Sequence, residues 1–187
     1  MKRRRILLLA GALVVGLLLI LAVGISLQPG AALMEFEFTA LIHRPVEEVF
    51  AFFRDVDVHA AGSRNLVPVL DKLTPGPVGV GTRYREVVRI LPFVNGEILT
   101  EVVAFEPNRL LDCRFVAMGM PGELTYLFEP LEEATRVVQR ESLRPSGWMR
   151  PFSPLIGAMF SRMVGKRLAG IQAYLDSGAL AQTEVKP

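Results

Sequence analysis

The groups that could perform acid–base chemistry in this 187-residue chain are few and far apart in the sequence. Glu86 and Glu141 lie in extended runs whose alternate residues share a face, so both carboxylates enter the interior if those faces point inward. His59 could also transfer protons near neutral pH. Most strand glutamates and most histidines face solvent. We therefore assign no catalytic residue and keep Glu86, Glu141 and His59 only as candidates for proton transfer.

The sequence contains no pattern of a metal or nucleotide site. His43 and His59 are the only histidines, and their separation matches no zinc motif such as HExxH. Gly79 and Gly81 precede a strand-like run, so they predict a turn instead of a phosphate-binding loop. Cys113 is the only cysteine, which excludes an intrachain disulfide, and its apolar surroundings predict a buried, unreactive thiol. We expect neither a metal nor a cofactor.

Aromatic and methionine side chains in the second half of the chain indicate an apolar cavity, because such side chains adapt to varied hydrophobic ligands. Core packing explains most of them equally well. Those near the start of the last helix are predicted to touch a ligand most directly: Trp148, Phe152, Met159, Phe160 and Met163. The wider predicted cavity adds Phe93, Phe115, Met118, Tyr126 and Phe128.

A basic stretch accompanies these apolar residues. Between Ser142 and Leu175 the sequence has no acidic residue. Arg144 and Arg150 flank Trp148, and we predict that they contact anionic lipid headgroups. The alternative is that they form salt bridges with acidic strands.

The elements that must position these residues follow from periodicity. Met34 to Ile42 alternates as a half-buried strand, and a short amphipathic helix follows Pro45. A second short helical piece is predicted over residues 55–62. A long helix follows Pro151, runs to about Ser177 and ends at Gly178.

Six strand-like runs lie between these helices, with turn residues between them, which predicts an antiparallel meander. Asn95-Gly96 is the clearest hairpin signal. The runs are LVPVLDKL, TRYREVVRI, EILTEVVAF, LLDCRFVAM, ELTYLFEP and ATRVVQRESL.

The N-terminal segment predicts a membrane anchor. Residues 6–27 carry no charge and are apolar on all sides, long enough at ~1.5 Å per residue to cross the ~30 Å core of a bilayer. Basic residues 2–5 precede this segment and orient the N-terminus toward the cytoplasm, which leaves the domain outside. Cleavage as a signal peptide, which would yield a secreted domain, is the alternative.

The predicted organisation is therefore an anchor over residues 1–28, a linker over 29–33, one domain over 34–178 and a disordered tail over 179–187. The net charge is +2, and part of the positive charge belongs to the anchor's basic tip. Nucleic acid is consequently not an expected partner. The oligomeric state stays open.

The chain resembles the START-like (SRPBCC) superfamily of helix-grip proteins, in particular its polyketide cyclase/dehydratase and lipid-transport branch. The resemblance rests on the segments IHRPVEEVFAFFRDVD, GPVGVGTRYRE, EVVAFEPNRLL and TYLFEPLEEATRVVQ and on the long C-terminal helix. It implies an α+β fold in which a curved antiparallel sheet of about seven strands wraps around that helix. Many relatives place an aromatic residue such as tryptophan just after the second short helix, where this chain reads HAAGSRNLVPV. An N-terminal span is also not part of the family's core pattern.

The resemblance and the apolar residues together predict a non-enzymatic, membrane-anchored module that binds or transfers a hydrophobic small molecule or lipid. One alternative is a cyclase- or dehydratase-type enzyme acting on an aromatic or polyketide-like substrate, which requires two titratable groups converging in the cavity. Another is an envelope protein–protein interaction domain, which requires a large exposed apolar patch.

Overall fold

The computed structural model describes residues 11–20, 23–24, 33–54, 69–91, 94–145 and 147–178. Among these, seven strands form one antiparallel sheet in the order β1-β7-β6-β5-β4-β3-β2. The strands are β1 (Met34–Ile42), β2 (Val69–Lys72), β3 (Arg83–Leu91), β4 (Val94–Glu106), β5 (Leu110–Ala117), β6 (Met120–Pro130) and β7 (Thr135–Leu143). Helix α1 (Val46–Arg54) follows β1, and a 3-10 helix (Gly147–Phe152) leads into the long helix α2 (Ser153–Asp176). The predicted strand, short helix, meander and terminal helix are confirmed.

The long helix lies close to one side of the sheet because small residues permit it. A Cβ added at Gly157 would lie 3.1 Å from the sulfur of Met34, and one added at Gly165 would lie 3.2 Å from the ring of Phe38. Both neighbours belong to β1. The helix therefore packs tightly on β1, and open space remains beneath it on the side of β3, β4 and β5.

The core has two parts along α2. Near its C-terminal half, Phe50 and Phe53 of α1 pack on the inward residues of the sheet, with ring centroids 5.2 Å apart between Phe50 and Phe128 and 4.7 Å apart between Phe53 and Tyr126. Near its N-terminal half, Phe160 packs with Phe115, Met120, Leu143 and Val164. Apolar burial at both ends holds the helix in place.

The predicted position of the turn between β3 and β4, at Asn95-Gly96, is wrong. Asn95 pairs with Arg89 and Gly96 pairs with Val88 inside the β3–β4 ladder, which continues to Leu91 opposite Val94. A turn at Asn95-Gly96 would shift β3 by an odd number of residues and direct its arginines into the core. The burial pattern of the whole strand overrides the local turn preference.

Several predictions concern residues outside the described part of the chain: the second short helix over 55–62, the tail over 179–187, and the linker apart from Leu33. The predicted anchor is described only in part. Residues 11–20 and 23–24 are helical, and their large apolar side chains are exposed. Within the residues that the structure describes, no helix has both the length and the apolar character to span a bilayer.

Candidate functional site

A cavity with two adjoining compartments lies between the inner face of the sheet and α2. The inner compartment, of about 40 Å³, is lined by Glu86, Val88, Ile98, Thr100, Phe115, Leu124, Glu141, Phe160, Met163, Val164 and Arg167. The outer compartment, of about 210 Å³, is lined by Val88, Arg89, Ile98, Ala117, Met118, Met120, Ile156, Met159, Phe160, Arg162, Met163 and Lys166. Val88, Ile98, Phe160 and Met163 line both compartments. Combined, the two spaces approach the ~300 Å³ lower limit of ordinary small-molecule sites.

Strand β3 brings a carboxylate into the inner compartment. Its odd-numbered arginines face solvent, where Arg83 pairs with Glu101 and Arg85 pairs with Asp71. Alternation therefore turns Glu86 inward, toward α2. There Arg167 binds it with both guanidinium ends, through Nη1 to Oε2 at 2.9 Å and Nη2 to Oε1 at 3.2 Å.

This ion pair is largely removed from water, since the exposed fractions of the Arg167 and Glu86 side chains are 18% and 14%. Burial alone would lower the pKa of Arg167, but the charge of Glu86 raises it above its usual value. The arginine therefore stays charged, and its charge is balanced by Glu86. The pair adds polarity to the cavity without adding net charge.

Strand β7 contributes a second carboxylate. Gln139 and Glu141 point inward two residues apart, and Gln139 Nε2 donates a hydrogen bond of 2.6 Å to Glu141 Oε1. Glu141 Oε2 is buried and, among the described residues, has no hydrogen-bond partner. Burial raises the pKa of Glu141 to about 7, although the bond from Gln139 and the charge of Arg167 oppose the rise. Glu141 therefore titrates near neutrality, and it lines the inner compartment with one oxygen that no described residue bonds.

Two further titratable groups lie deeper in the core. Burial raises the pKa of the Cys113 thiol to about 12, with smaller contributions from Asp112 and Glu86. Burial also raises the pKa of Tyr126, which is 4% exposed. Both groups remain protonated at neutral pH. The prediction of a buried thiol at Cys113 is confirmed.

The predicted cavity residues fall into distinct places. Phe115, Phe160 and Met163 line the inner compartment, and Met118 and Met159 line the outer one. Glu86 and Glu141 do point into the interior, contrary to the usual solvent-facing position of strand glutamates.

Other predicted residues lie elsewhere. Tyr126 and Phe128 pack in the core against α1 and line neither compartment. Phe152 is 48% exposed. Trp148 belongs to the 3-10 helix. Phe93, the side chain of Trp148 and His59 are outside what the structure describes.

Of the two predicted membrane-contacting residues, Arg144 is exposed and Arg150 is partly buried. Their contact with lipid stays a prediction. Among the described residues, no group of three or more histidine, cysteine or carboxylate side chains could hold a metal ion.

Sequence reasoning missed the inward position of Arg167, which lies within the basic stretch between Ser142 and Leu175. Phe160, Val164 and Ile171 are buried on one face of α2. Position 167 lies seven residues after Phe160 and thus near the same face. The helical period therefore placed Arg167 next to the buried face. An arginine at such a position normally lies at the boundary between the buried and exposed faces of a helix, so the period alone did not predict that it points inward.

Comparison with known proteins agrees with this geometry. The sequence profile of a family described as "Polyketide cyclase / dehydrase and lipid transport" matches residues 34–176. No curated protein sequence matches the chain. A protein of Thermus thermophilus of known structure is 21% identical, with a TM-score of 0.64 over 77% of this chain and 98% of its own.

Two other solved structures share the fold. An aromatase/cyclase from a Streptomyces species is 16% identical, with a TM-score of 0.63 over 81% of this chain and 96% of its own. A conserved protein from Geobacillus kaustophilus is 12% identical, with a TM-score of 0.62 over 76% of this chain and 95% of its own. Since these proteins consist almost entirely of the shared fold, that fold forms a complete domain by itself.

Proposed function

The chain belongs to the polyketide cyclase/dehydrase and lipid transport family, and from that premise we propose that its domain binds and carries a hydrophobic small molecule or lipid without converting it. One observation supports this proposal most strongly. The outer compartment is apolar and adjoins an inner compartment whose few polar groups are fixed by hydrogen bonds and an ion pair. Such a cavity accepts an apolar ligand and orients it through a small number of polar contacts.

The state of the two carboxylates favours carriage over catalysis. Acid–base catalysis would require two titratable groups that act on the ligand. Glu86 and Glu141 both line the inner compartment, but Glu86 is engaged at both oxygens by Arg167. Of these two carboxylates, Glu141 keeps one oxygen that no described residue bonds.

A cyclase- or dehydratase-type enzyme is the second candidate, and one observation favours it. Glu141 lines the cavity, has a pKa of about 7 and keeps one buried oxygen without a hydrogen-bond partner among the described residues, as a general acid or base near neutral pH would. A substrate hydroxyl or an acidic C–H bond close to this oxygen would complete the requirement. The Streptomyces aromatase/cyclase has the same fold.

The experiment uses the chain from Leu33 to Pro187, purified gently and analysed by native mass spectrometry before and after organic extraction. We expect a bound hydrophobic molecule that is recovered unchanged after prolonged incubation. Its chemical conversion by wild type, lost in Glu141→Gln, would establish the enzyme instead. A protein that is empty and binds no neutral apolar fluorophore would contradict both functions.

Matched variants connect binding to the cavity. Met163→Trp fills the space between the compartments and should abolish binding. Leu99→Trp places the same side chain on the outer face of the sheet, where Leu99 is 47% exposed, and should leave binding intact. Phe160→Ala enlarges the cavity and should admit bulkier fluorophores. Equal binding by all three variants would place the ligand elsewhere.

We also propose that the N-terminal segment tethers the domain to a membrane, with the domain outside the cytoplasm. Supporting this, apolar side chains from Leu13 to Val23 are exposed in the helical residues, and only lipid or another protein would shield them from water. The full chain should remain in membranes after alkaline carbonate extraction, whereas the chain from Leu33 should be released. A mature protein lacking the segment would indicate signal-peptide cleavage.

A further inference from the structure

Three cations surround the outer compartment, whose interior is apolar. Arg162 and Lys166 lie one turn apart on α2, so their side chains are neighbours on one face. Arg89 of β3 also lines this compartment, at the point where the β3–β4 register shifts between Arg89 and Leu91. All three residues are exposed while also lining the compartment. They form what we call the basic mouth of the cavity.

Among the described residues, the basic mouth has no acidic counterpart. No carboxylate in this part of the chain lines the outer compartment, and none of the three cations has an ion pair or a side-chain hydrogen bond with it. The other solvent-facing arginines of β3, Arg83 and Arg85, do pair with carboxylates. Like charges at i and i+4 on a helix are mildly unfavourable, so an anion bound between Arg162 and Lys166 would relieve their mutual repulsion.

The inner compartment cannot supply a similar anion site. Its one arginine, Arg167, is already balanced by Glu86 through two hydrogen bonds. Glu141, which lines the same compartment, would repel an anion when it is charged. An anionic group is thus favoured only at the basic mouth, and an uncharged group is favoured at the inner end.

Resting on the proposed function, we propose that the ligand is an anionic amphiphile, with its carboxylate or phosphate headgroup bound by Arg89, Arg162 and Lys166 and its apolar chain directed toward Phe160 and Met163. The apolar compartment selects the apolar chain of the ligand, and the basic mouth selects its headgroup. An uncharged amphiphile would gain only the first of these contributions.

The test measures displacement of a neutral apolar fluorophore from the chain Leu33 to Pro187 by dodecanoate, dodecyl phosphate, dodecan-1-ol and inorganic phosphate. At an ionic strength of about 0.01 M, where the Debye length is about 30 Å, both anionic amphiphiles should bind about tenfold more tightly than the alcohol. The preference should shrink at about 1 M salt. Whichever anionic amphiphile binds more tightly identifies the preferred headgroup.

Charge-reversal variants assign the preference to the basic mouth. The double variant Arg162→Glu/Lys166→Glu should remove the tenfold preference while leaving the affinity for dodecan-1-ol unchanged. Arg114→Glu makes the same kind of change at an exposed arginine of β5 outside the outer compartment and should have no effect. Should the double variant fold poorly, the single Arg162→Gln and Lys166→Gln variants give the same test.

The possible failures differ from one another. Equal affinity for the alcohol and the anionic amphiphiles overturns this inference but leaves the proposed function standing. Inorganic phosphate binding as tightly as dodecyl phosphate also overturns it, because the dodecyl chain would then contribute nothing to the affinity. If the fluorophore and every amphiphile fail to bind, the proposed function itself is wrong.

Discussion

Replacement of Glu141 by glutamine tests the electrostatics of the inner compartment. The carboxyl group has an ordinary pKa of 4.5 when exposed and a pKa of about 7 in the folded protein, mainly because it is buried. A folded-state pKa above the unfolded value means that the stabilising contribution is fully present below about pH 4.5. It is lost as the pH rises through about 7.

The expected size follows from the shift. Two and a half pKa units at ~1.36 kcal/mol each give about 3 kcal/mol of stability lost by the wild type between about pH 4 and pH 8. The glutamine of Glu141→Gln cannot ionise, and its side-chain carbonyl oxygen can still accept the hydrogen bond from Gln139. The variant should therefore gain about 3 kcal/mol relative to the wild type over this pH range.

The measurement is the free energy of unfolding in urea for both proteins at several pH values. Taking the difference between them cancels the titrating groups that do not interact with Glu141. Glu123→Gln makes the same chemical change at an exposed position of β6 and serves as the matched control. If the difference for Glu141→Gln also stays constant within about 1 kcal/mol, the carboxylate is hydrated and the inner compartment is open to water.

Three further predictions concern the core. In Gly122→Ala the added Cβ would overlap a phenylalanine ring and a backbone carbonyl oxygen, which should cost about 1–3 kcal/mol in urea unfolding. Gly79→Ala is the control: nothing lies within 4 Å of its added Cβ, so it should change stability by less than about 0.5 kcal/mol. Equal losses of stability in the two variants would refute the close packing around Gly122. Burial raises the pKa of Cys113 to about 12, so its thiol should not react with Ellman's reagent near pH 8 until the protein unfolds. Rapid reaction of the folded protein would show that the thiol is exposed. Arg167→Met should cost about 3–5 kcal/mol by leaving Glu86 charged and unpaired, and adding Glu86→Leu should restore most of that loss unless the pair contributes net stability.

Much of the fold could be predicted because local patterns and burial agree along most of the chain. The alternation of Met34 to Ile42 matches a strand whose even-numbered residues face the core, and the bounds of β1 are those predicted. The glycine at position 178 ends the last helix with a φ of +75°, which explains the predicted end of that helix. Each of these signals depends only on residues near it in sequence.

The features that could not be predicted depend on partners distant in sequence. Asn95-Gly96 satisfies every local rule for a hairpin turn, but the pairing of Val88 with Gly96 keeps Glu86 inward and the arginines of β3 outward. Likewise Arg167 appears as one cation in a basic stretch until β3 places Glu86 opposite it, 81 residues away in sequence. Propensity identifies the elements, whereas register and long-range pairing decide which charged side chains enter the cavity.

The ion pair between Glu86 and Arg167 also explains how one cavity can be polar at its inner end and still accept an apolar chain. An unpaired arginine there would attract the headgroup of an acidic ligand, and an unpaired glutamate would repel it. Because the charges of Glu86 and Arg167 cancel each other, the inner end has little preference for a charged group. The cations of the basic mouth have no such partner among the described residues and keep their preference for an anion. If an anionic amphiphile binds as proposed, its orientation is determined by which cations of the cavity have a carboxylate partner, not by how many arginines the domain contains. Breaking the pair by Glu86→Gln should consequently create a second anion site at the inner end and weaken the preference for a single ligand orientation.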